Sequence, residues 1–195
     1  MTTNEGSTET QPLEQNPVPE GMQRAESLVV VNTGDGKGKS SAAFGVMLRG
    51  LAMGWRVAVV QFIKSGDWKV GEEKMGRQLG VEWFAEGEGF TWDSDNIDQD
   101  KAVANKGWQQ AKALINSGNH PLIVLDELTY LMNWGWIDSD DVIATIKNRP
   151  AATSLVITGR DASKELQAVA DTVTEMRKVR HAFDTGIVAK KGIDY

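Results

Sequence analysis

No cysteine occurs in these 195 residues. Disulfides, thiolate metal sites and cysteine nucleophiles are therefore excluded. Any redox chemistry at this protein must draw its electrons from a partner. Histidine is scarce as well, with His120 and His181 alone. Neither stands at metal-ligand spacing from a second histidine. His120, next to Pro121, reads as structural, and the role of His181 stays open. Positive charge is in the minority: Lys+Arg number 21 against Asp+Glu 27, a net charge of −6. That speaks against non-specific nucleic-acid binding, which needs a positive surface, and leaves room for a local basic pocket. No apolar run approaches the roughly 18 residues of a membrane helix, and no signal-peptide pattern opens the chain. The expectation is a cytoplasmic protein with neither nucleic acid nor membrane as partner. Tyrosine is rare, with two against seven tryptophans. The tryptophans suggest flat surfaces for a flat ligand, and core packing is the competing use for most of them.

The chain divides in two. Residues 1–26 are polar and include Pro12, Pro17 and Pro19. Such a segment cannot bury enough surface to fold alone, and it reads as a mobile tail. Residues 27–195 are long enough for one domain with a full core, and they hold no internal repeat. Apolar runs at Val29–Val31, 56–62, 81–84, 121–127 and 154–158 read as strands, and 171–176 as a last one. Helical segments fall between them, over 39–53, 72–79, 98–117 and 139–148. A further helix carries Leu166, Val169 and Ala170, with Asp161 as its expected cap. Trp108, Ala111, Leu114 and Ile115 share one face of the long helix. Pro121-Leu122-Ile123-Val124-Leu125-Asp126-Glu127 shows no alternation, so both of its faces are covered. Strands alternating with helices predict an α/β domain with a largely parallel sheet and helices on both faces. Ligands in such folds sit at the carboxyl ends of strands.

The first strand runs into Thr33-Gly34-Asp35-Gly36-Lys37-Gly38-Lys39-Ser40-Ser41, and a helix follows at once. Strand, glycine loop and helix start, in that order, make a phosphate cradle. Consecutive N–H groups can turn inward on a polyanion, and the helix N-terminus adds partial positive charge. Lys39 supplies a full charge, and the Ser40 hydroxyl can reach a magnesium ion. The usual pattern is G-x-x-x-x-G-K-[ST], and Thr33 stands at its first glycine position, so this loop is a variant. The competing reading is an ordinary glycine turn, against which the flanking strand and helix count.

Other residues converge on the same rim. Asp126 ends the most apolar strand, where P-loop proteins hold a carboxylate that binds magnesium directly or through water. Strand alternation turns Glu127 the other way, toward a second substrate. Arg160 follows the fifth strand and can brace a triphosphate by a forked contact. Arg49 on the first helix can do the same or can be a solvated helix residue. Phe90 and Trp92 stand at i and i+2 just after Gly87 and Gly89, so both rings of an extended segment can face one flat ligand, although such pairs more often belong to a core.

These residues together resemble ATP:corrinoid adenosyltransferases of bacterial cobalamin synthesis. The similarity lies in residues 33–45, in Gly89-Phe90-Thr91-Trp92, in Val124-Leu125-Asp126-Glu127-Leu128-Thr129-Tyr130 and in Ile157-Thr158-Gly159-Arg160. It continues in His181-Ala182-Phe183-Asp184 and Gly192-Ile193-Asp194-Tyr195, and spans about 28–195. Ser40 and Ser41 stand where threonines are common in that family, and the hydroxyls are kept. The resemblance implies a single RecA-like P-loop domain working as a homodimer. It implies transfer of the 5′-deoxyadenosyl group of ATP to the Co(I) of a corrinoid, cobalamin or cobinamide-type, with inorganic triphosphate leaving. It implies Mg2+ (or Mn2+) with the nucleotide and a reduced flavoprotein as electron donor. The loop from Thr33 to Ser41 would hold the phosphates with Arg49. Lys39, Lys37, Ser40 and Arg160 would stabilise the leaving group, with Ser40 and Asp126 at the metal. Phe90 and Trp92 match the aromatic pair that displaces the lower axial base of the corrinoid, and Glu127 and Tyr130 fall at corrinoid-facing positions.

Two rival readings use the same loop. A small ATPase or kinase would cleave the γ-phosphate with Lys39, Ser40 and Asp126, and a nucleotide-dependent binding module would turn nothing over.

Overall fold

The computed structural model describes residues 18–63, 71–85 and 97–194. Six strands follow one another along the chain: β1 (Val29–Thr33), β2 (Val57–Gln61), β3 (Glu82–Ala85), β4 (Leu122–Asp126), β5 (Ser154–Thr158) and β6 (Thr172–Glu175). They form one sheet in the order β3-β2-β4-β5-β1-β6, and every pairing is parallel. The helices are α1 (Lys39–Ala52), α2 (Gly71–Gln78), α3 (Ile97–Ser117), α4 (Leu128–Asn133), α5 (Ser139–Lys147) and α6 (Lys164–Ala168). This is the α/β architecture that the alternation of elements predicts, consistent with a single RecA-like domain.

The absence of alternation in β2 and β4 has a direct cause. Both strands are buried at every position, because both faces carry a core. Ile123 and Leu125 join Val60, Leu155 and Ile157 beneath Trp108, Ala111 and Ile115 of α3, Val142 and Ile146 of α5, and Leu166 of α6. Leu122 and Val124, turned the other way, join Val57, Val59 and Val156 against Ala43, Phe44 and Met47 of α1. Successive residues of one strand thus supply two separate hydrophobic layers, as the period of two requires. One buried polar atom in the first layer is satisfied across helices. Trp108 Nε1 donates to Asp141 Oδ2 at 2.8 Å.

Two features depart from the sequence reading. The cap of α6 is Ser163, whose Oγ accepts the Leu166 N–H at 3.2 Å. Asp161 lies further back, in a left-handed conformation with φ 52°, inside the turn that leaves β5. The second is α4, which begins two residues after the strand ends. Glu127 between them has φ 66° and does not continue β4, so the strand alternation that would aim its side chain stops at Asp126.

β5 lies between β1 and β4 in the sheet. The carboxyl ends of these three strands therefore adjoin on one rim, and the loops that leave them build the site.

Candidate active site

The glycine loop leaves β1 and turns into α1 at Gly38, which has φ 109°. The neighbouring Gly36 sits against the chain that follows β6. Its N–H donates to the Met176 carbonyl at 2.6 Å, and a Cβ there would stand 2.6 Å from the same oxygen. Any side chain at Gly36 would push the loop off that chain. Thr33, the departure from the usual motif, has a task of its own. Its Oγ1 accepts the Ala162 N–H at 3.0 Å and so ties the loop after β5 to the end of β1.

Lys39 opens α1. Its Nζ donates to the Gly36 carbonyl at 2.7 Å, which folds the side chain back over the loop. Burial pushes its pKa below the ordinary lysine value, and the nearby Arg160 guanidinium pushes the same way. Glu127, Asp35 and Asp126 oppose this. Two cations held close together in a partly desolvated place form a receptor for a polyanion.

The carboxyl end of β4 is pinned rather than free. Asp126 is fully buried; its Oδ2 accepts from Gln61 Nε2 at 2.8 Å and its Oδ1 from Thr158 Oγ1 at 2.7 Å. Thr158 Oγ1 accepts in turn the Glu127 N–H at 2.9 Å. This relay holds Glu127 in its left-handed conformation at the cavity wall. Arg160 is positioned through its backbone: its carbonyl accepts from Thr129 Oγ1 at 2.6 Å and from Asn133 Nδ2 at 3.2 Å, both on α4. The preceding Gly159, with φ 142°, lies so close to α4 that a Cβ would overlap the Thr129 hydroxyl.

These pieces enclose a cavity of about 400 Å³. It is lined by loop residues Asp35 to Ser41, by Glu127, Tyr130 and Arg160, and by the chain after β6. The structure thus brings Asp35, Gly36, Lys37, Gly38, Lys39, Ser40, Ser41, Glu127, Tyr130 and Arg160 to one place. Burial raises the pKa of the Tyr130 phenol, so it faces the cavity as a neutral donor. Thr33 and Gly34 lie behind the loop, in a separate hollow with Asp161 and Glu175. Asp126 sits beneath the floor. Arg49 stands exposed in the last turn of α1, about 15 Å along the helix from Lys39, and is not among the lining residues. Phe90 and Trp92 lie outside the described residues.

The sequence reading gave no task to the wall opposite α4. Lys178, His181, Phe183, Asp184 and Asp194 line it, together with Glu72 of α2. Lys178 Nζ pairs with Asp184 at 3.1 Å, and Lys37 pairs with Asp194. The Lys178 N–H also donates to Asp35 Oδ1 at 3.4 Å. The motif around His181 was the available signal. Its distance in sequence from the loop, and its irregular backbone, hid the contact. His120 takes no part: it is buried beside β4 with its Nε2 3.1 Å from Glu82 Oε1, away from the cavity.

The donor set suits a hard cation together with phosphates. The Ser40 hydroxyl lines the cavity, and the Asp126 carboxylate is buried at the end of the adjoining strand β4. Magnesium is held by few protein oxygens plus phosphates and water, so a small oxygen set of this kind fits it. Among the described residues no group of three or more His, Asp or Glu side chains could hold a metal ion without such help. No helix among them is long and apolar enough to cross a membrane.

Comparison with known proteins agrees with this geometry. A profile of the family ATP:corrinoid adenosyltransferase BtuR/CobO/CobP matches residues 25–195. A corrinoid adenosyltransferase of Escherichia coli K12 is 40% identical over 173 residues, covering 89% of this chain and 88% of that protein. The corrinoid adenosyltransferase CobA of Salmonella typhimurium is 40% identical over the same shares of each chain. A corrinoid adenosyltransferase of Pseudomonas aeruginosa is 44% identical over 170 residues, 86% of this chain and 83% of its own. The chain belongs to the ATP:corrinoid adenosyltransferase family.

Proposed function

We propose that this chain transfers the 5′-deoxyadenosyl group of ATP to the Co(I) of a corrinoid and releases inorganic triphosphate, in adenosylcobalamin synthesis or corrinoid salvage. The observation that carries the reading is the convergence of Lys39, Ser40 and Arg160 on one cavity, in a chain of this family.

The cobalt of the substrate supplies the electron pair. It forms the bond to C5′ as the C5′–O bond breaks, and the pair of that bond leaves on the triphosphate. The protein is asked for position, charge neutralisation and exclusion of water. Lys39, Lys37 and Arg160 meet the charge that grows on the leaving oxygen and the phosphates. Ser41 and the N–H groups from Lys37 to Ser40 add fixed dipoles at the start of α1. Tyr130 on α4 and Glu127 just before it face the second substrate.

Magnesium would be held by Ser40 and the phosphates, with Asp126 as an outer partner through water. Asp126 is fixed for that role by Gln61 and Thr158, which donate to its two oxygens. When bound, the ion neutralises charge on the polyphosphate. Phe90 and Trp92 would displace the lower axial base of the corrinoid, which eases reduction of Co(II) by a reduced flavoprotein. A homodimer is supported by the apolar side chains that the segment after β6 leaves exposed, among them Val179, Ile187, Val188 and Ile193. The reaction would take place in the cytoplasm, where ATP and reductant are supplied.

The test is incubation with ATP, magnesium and a chemically reduced corrinoid, followed by separation of the corrinoids. An adenosylcorrinoid is the expected product. Turnover of ATP with no alkylated corrinoid would overturn the reading.

A further inference from the structure

The ring of His181 lines the phosphate cavity and has no role in the mechanism so far. It precedes a 3-10 turn, Ala182–Thr185, and caps it: Nδ1 accepts the Phe183 N–H at 3.1 Å. A ring nitrogen that accepts carries no proton, so the neutral imidazole bears its proton on Nε2. Among the described residues the ring makes no other hydrogen bond. The backbone therefore fixes the tautomer, and the ring that lines the cavity keeps one N–H without a partner among the described residues.

The segment that carries His181 is held against the loop. Met176 accepts from Gly36, Asp35 accepts from the Lys178 N–H, and Asp194 pairs with Lys37. Lys39, Arg160 and Lys178 line the same cavity, and the carboxylates of Asp35, Asp184 and Asp194 stand with them. A donor fixed in this manner, among cations gathered for a polyanion, has phosphate oxygen as its fitting partner.

We propose that His181 is a phosphate-binding residue of the site, whose Nε2–H donates to the polyphosphate of ATP and then to the departing triphosphate. The inference rests on the reading that the glycine loop holds that polyphosphate. No proton is transferred in the step. The electron pair of the broken C5′–O bond stays on the triphosphate, and His181 keeps its proton while its hydrogen bond strengthens.

Two substitutions separate phosphate contact from capping. His181→Asn keeps an acceptor where Nδ1 stood and loses the distal donor. His181→Gln carries an amide donor out to the position of Nε2 and loses the near acceptor. Calorimetric titration of the whole protein with inorganic triphosphate reads the difference. His181→Asn should bind triphosphate about tenfold more weakly than the wild type, the effect of one hydrogen bond to a charged group. His181→Gln should stay within about threefold of the wild type. Wild-type affinity in His181→Asn, or equal weakening in both variants, would overturn the inference and leave His181 as a cap. A wild-type protein that binds no triphosphate would instead overturn the functional reading, and this inference with it.

Discussion

The ammonium of Lys39 donates to the carbonyl of Gly36, three residues back in its own loop, at 2.7 Å. The group proposed to meet a polyphosphate is bonded to the loop that would cradle it. The ammonium has two further N–H donors, so it can meet a phosphate oxygen without leaving Gly36. An anionic acceptor holds an ammonium more strongly than a neutral carbonyl does, so contact with phosphate is favoured. Lys39→Ala should lower kcat/KM for ATP by a factor on the order of 10²–10³, as removal of other anion-stabilising donors does. Steady-state kinetics with a chemically reduced corrinoid checks this, and a loss under threefold would remove Lys39 from the leaving-group site.

The same lysine predicts a pH effect. Its pKa lies below the ordinary value, first through burial and then through Arg160. Between the lowered value and 10.5 the unfolded chain holds a proton that the folded chain has lost, so in that window Lys39 makes stability rise with pH. Affinity moves the other way, because the deprotonated amine no longer attracts phosphate. NMR titration of the Lys39 side chain should show a midpoint below 10.5 in the free protein and a higher one with triphosphate bound. An unchanged midpoint on binding would contradict contact between Lys39 and the polyphosphate.

Glu127 offers a prediction about strain. A non-glycine residue at φ 66° costs on the order of 1 kcal/mol, and here the Thr158 relay holds it in place. Glu127→Gly should raise unfolding stability by about 0.5–1 kcal/mol while lowering turnover. Urea unfolding and the adenosylation assay read the two effects. A variant that is both less stable and fully active would show that the carboxylate serves the fold.

How far these features could be read from sequence depends on how local their causes are. β2 and β4 announce themselves, because apolar runs without alternation are needed wherever two cores meet one strand. The glycine loop is equally legible, since its glycines answer close contacts within a short stretch. α4 was not anticipated: a six-residue helix has too little length for a periodic signal, and its start depends on the left-handed Glu127. The α6 cap was misplaced by two residues, from Ser163 to Asp161, because both residue types cap helices and only the backbone conformation separates them. The place of Lys178 and of Asp194 beside the loop escaped notice for another reason. Their approach to the loop is made by irregular chain, which has no period to read.

A structural prediction concerns Asp141. Its carboxylate accepts from Trp108 Nε1 and from Lys112 Nζ, and these two bonds hold its pKa below the usual carboxylate range. Asp141→Ala would leave the buried Trp108 N–H without a partner, at a cost of about 1–3 kcal/mol. Chemical denaturation should show that loss at neutral pH. The gap between wild type and variant should narrow as the pH falls through the lowered carboxylate value, below 3.8, because protonation removes the charge and leaves only a neutral acceptor. A variant as stable as the wild type would show that the tryptophan N–H finds another acceptor.

Phe90 and Trp92 carry the prediction most particular to corrinoid chemistry. Replacing either by alanine should impair adenosylation that starts from Co(II), while ATP affinity stays within about twofold. Starting from Co(I) should largely restore the rate. Loss of ATP binding in either variant would assign the pair to the core instead.

The central claim is that the loop grips ATP so that carbon, and no phosphoryl group, is transferred. Phosphorus NMR of a completed reaction with ATP, magnesium and Co(I) corrinoid reads this most directly. The account predicts intact inorganic triphosphate in step with the corrinoid consumed. ADP and orthophosphate in that role would contradict it.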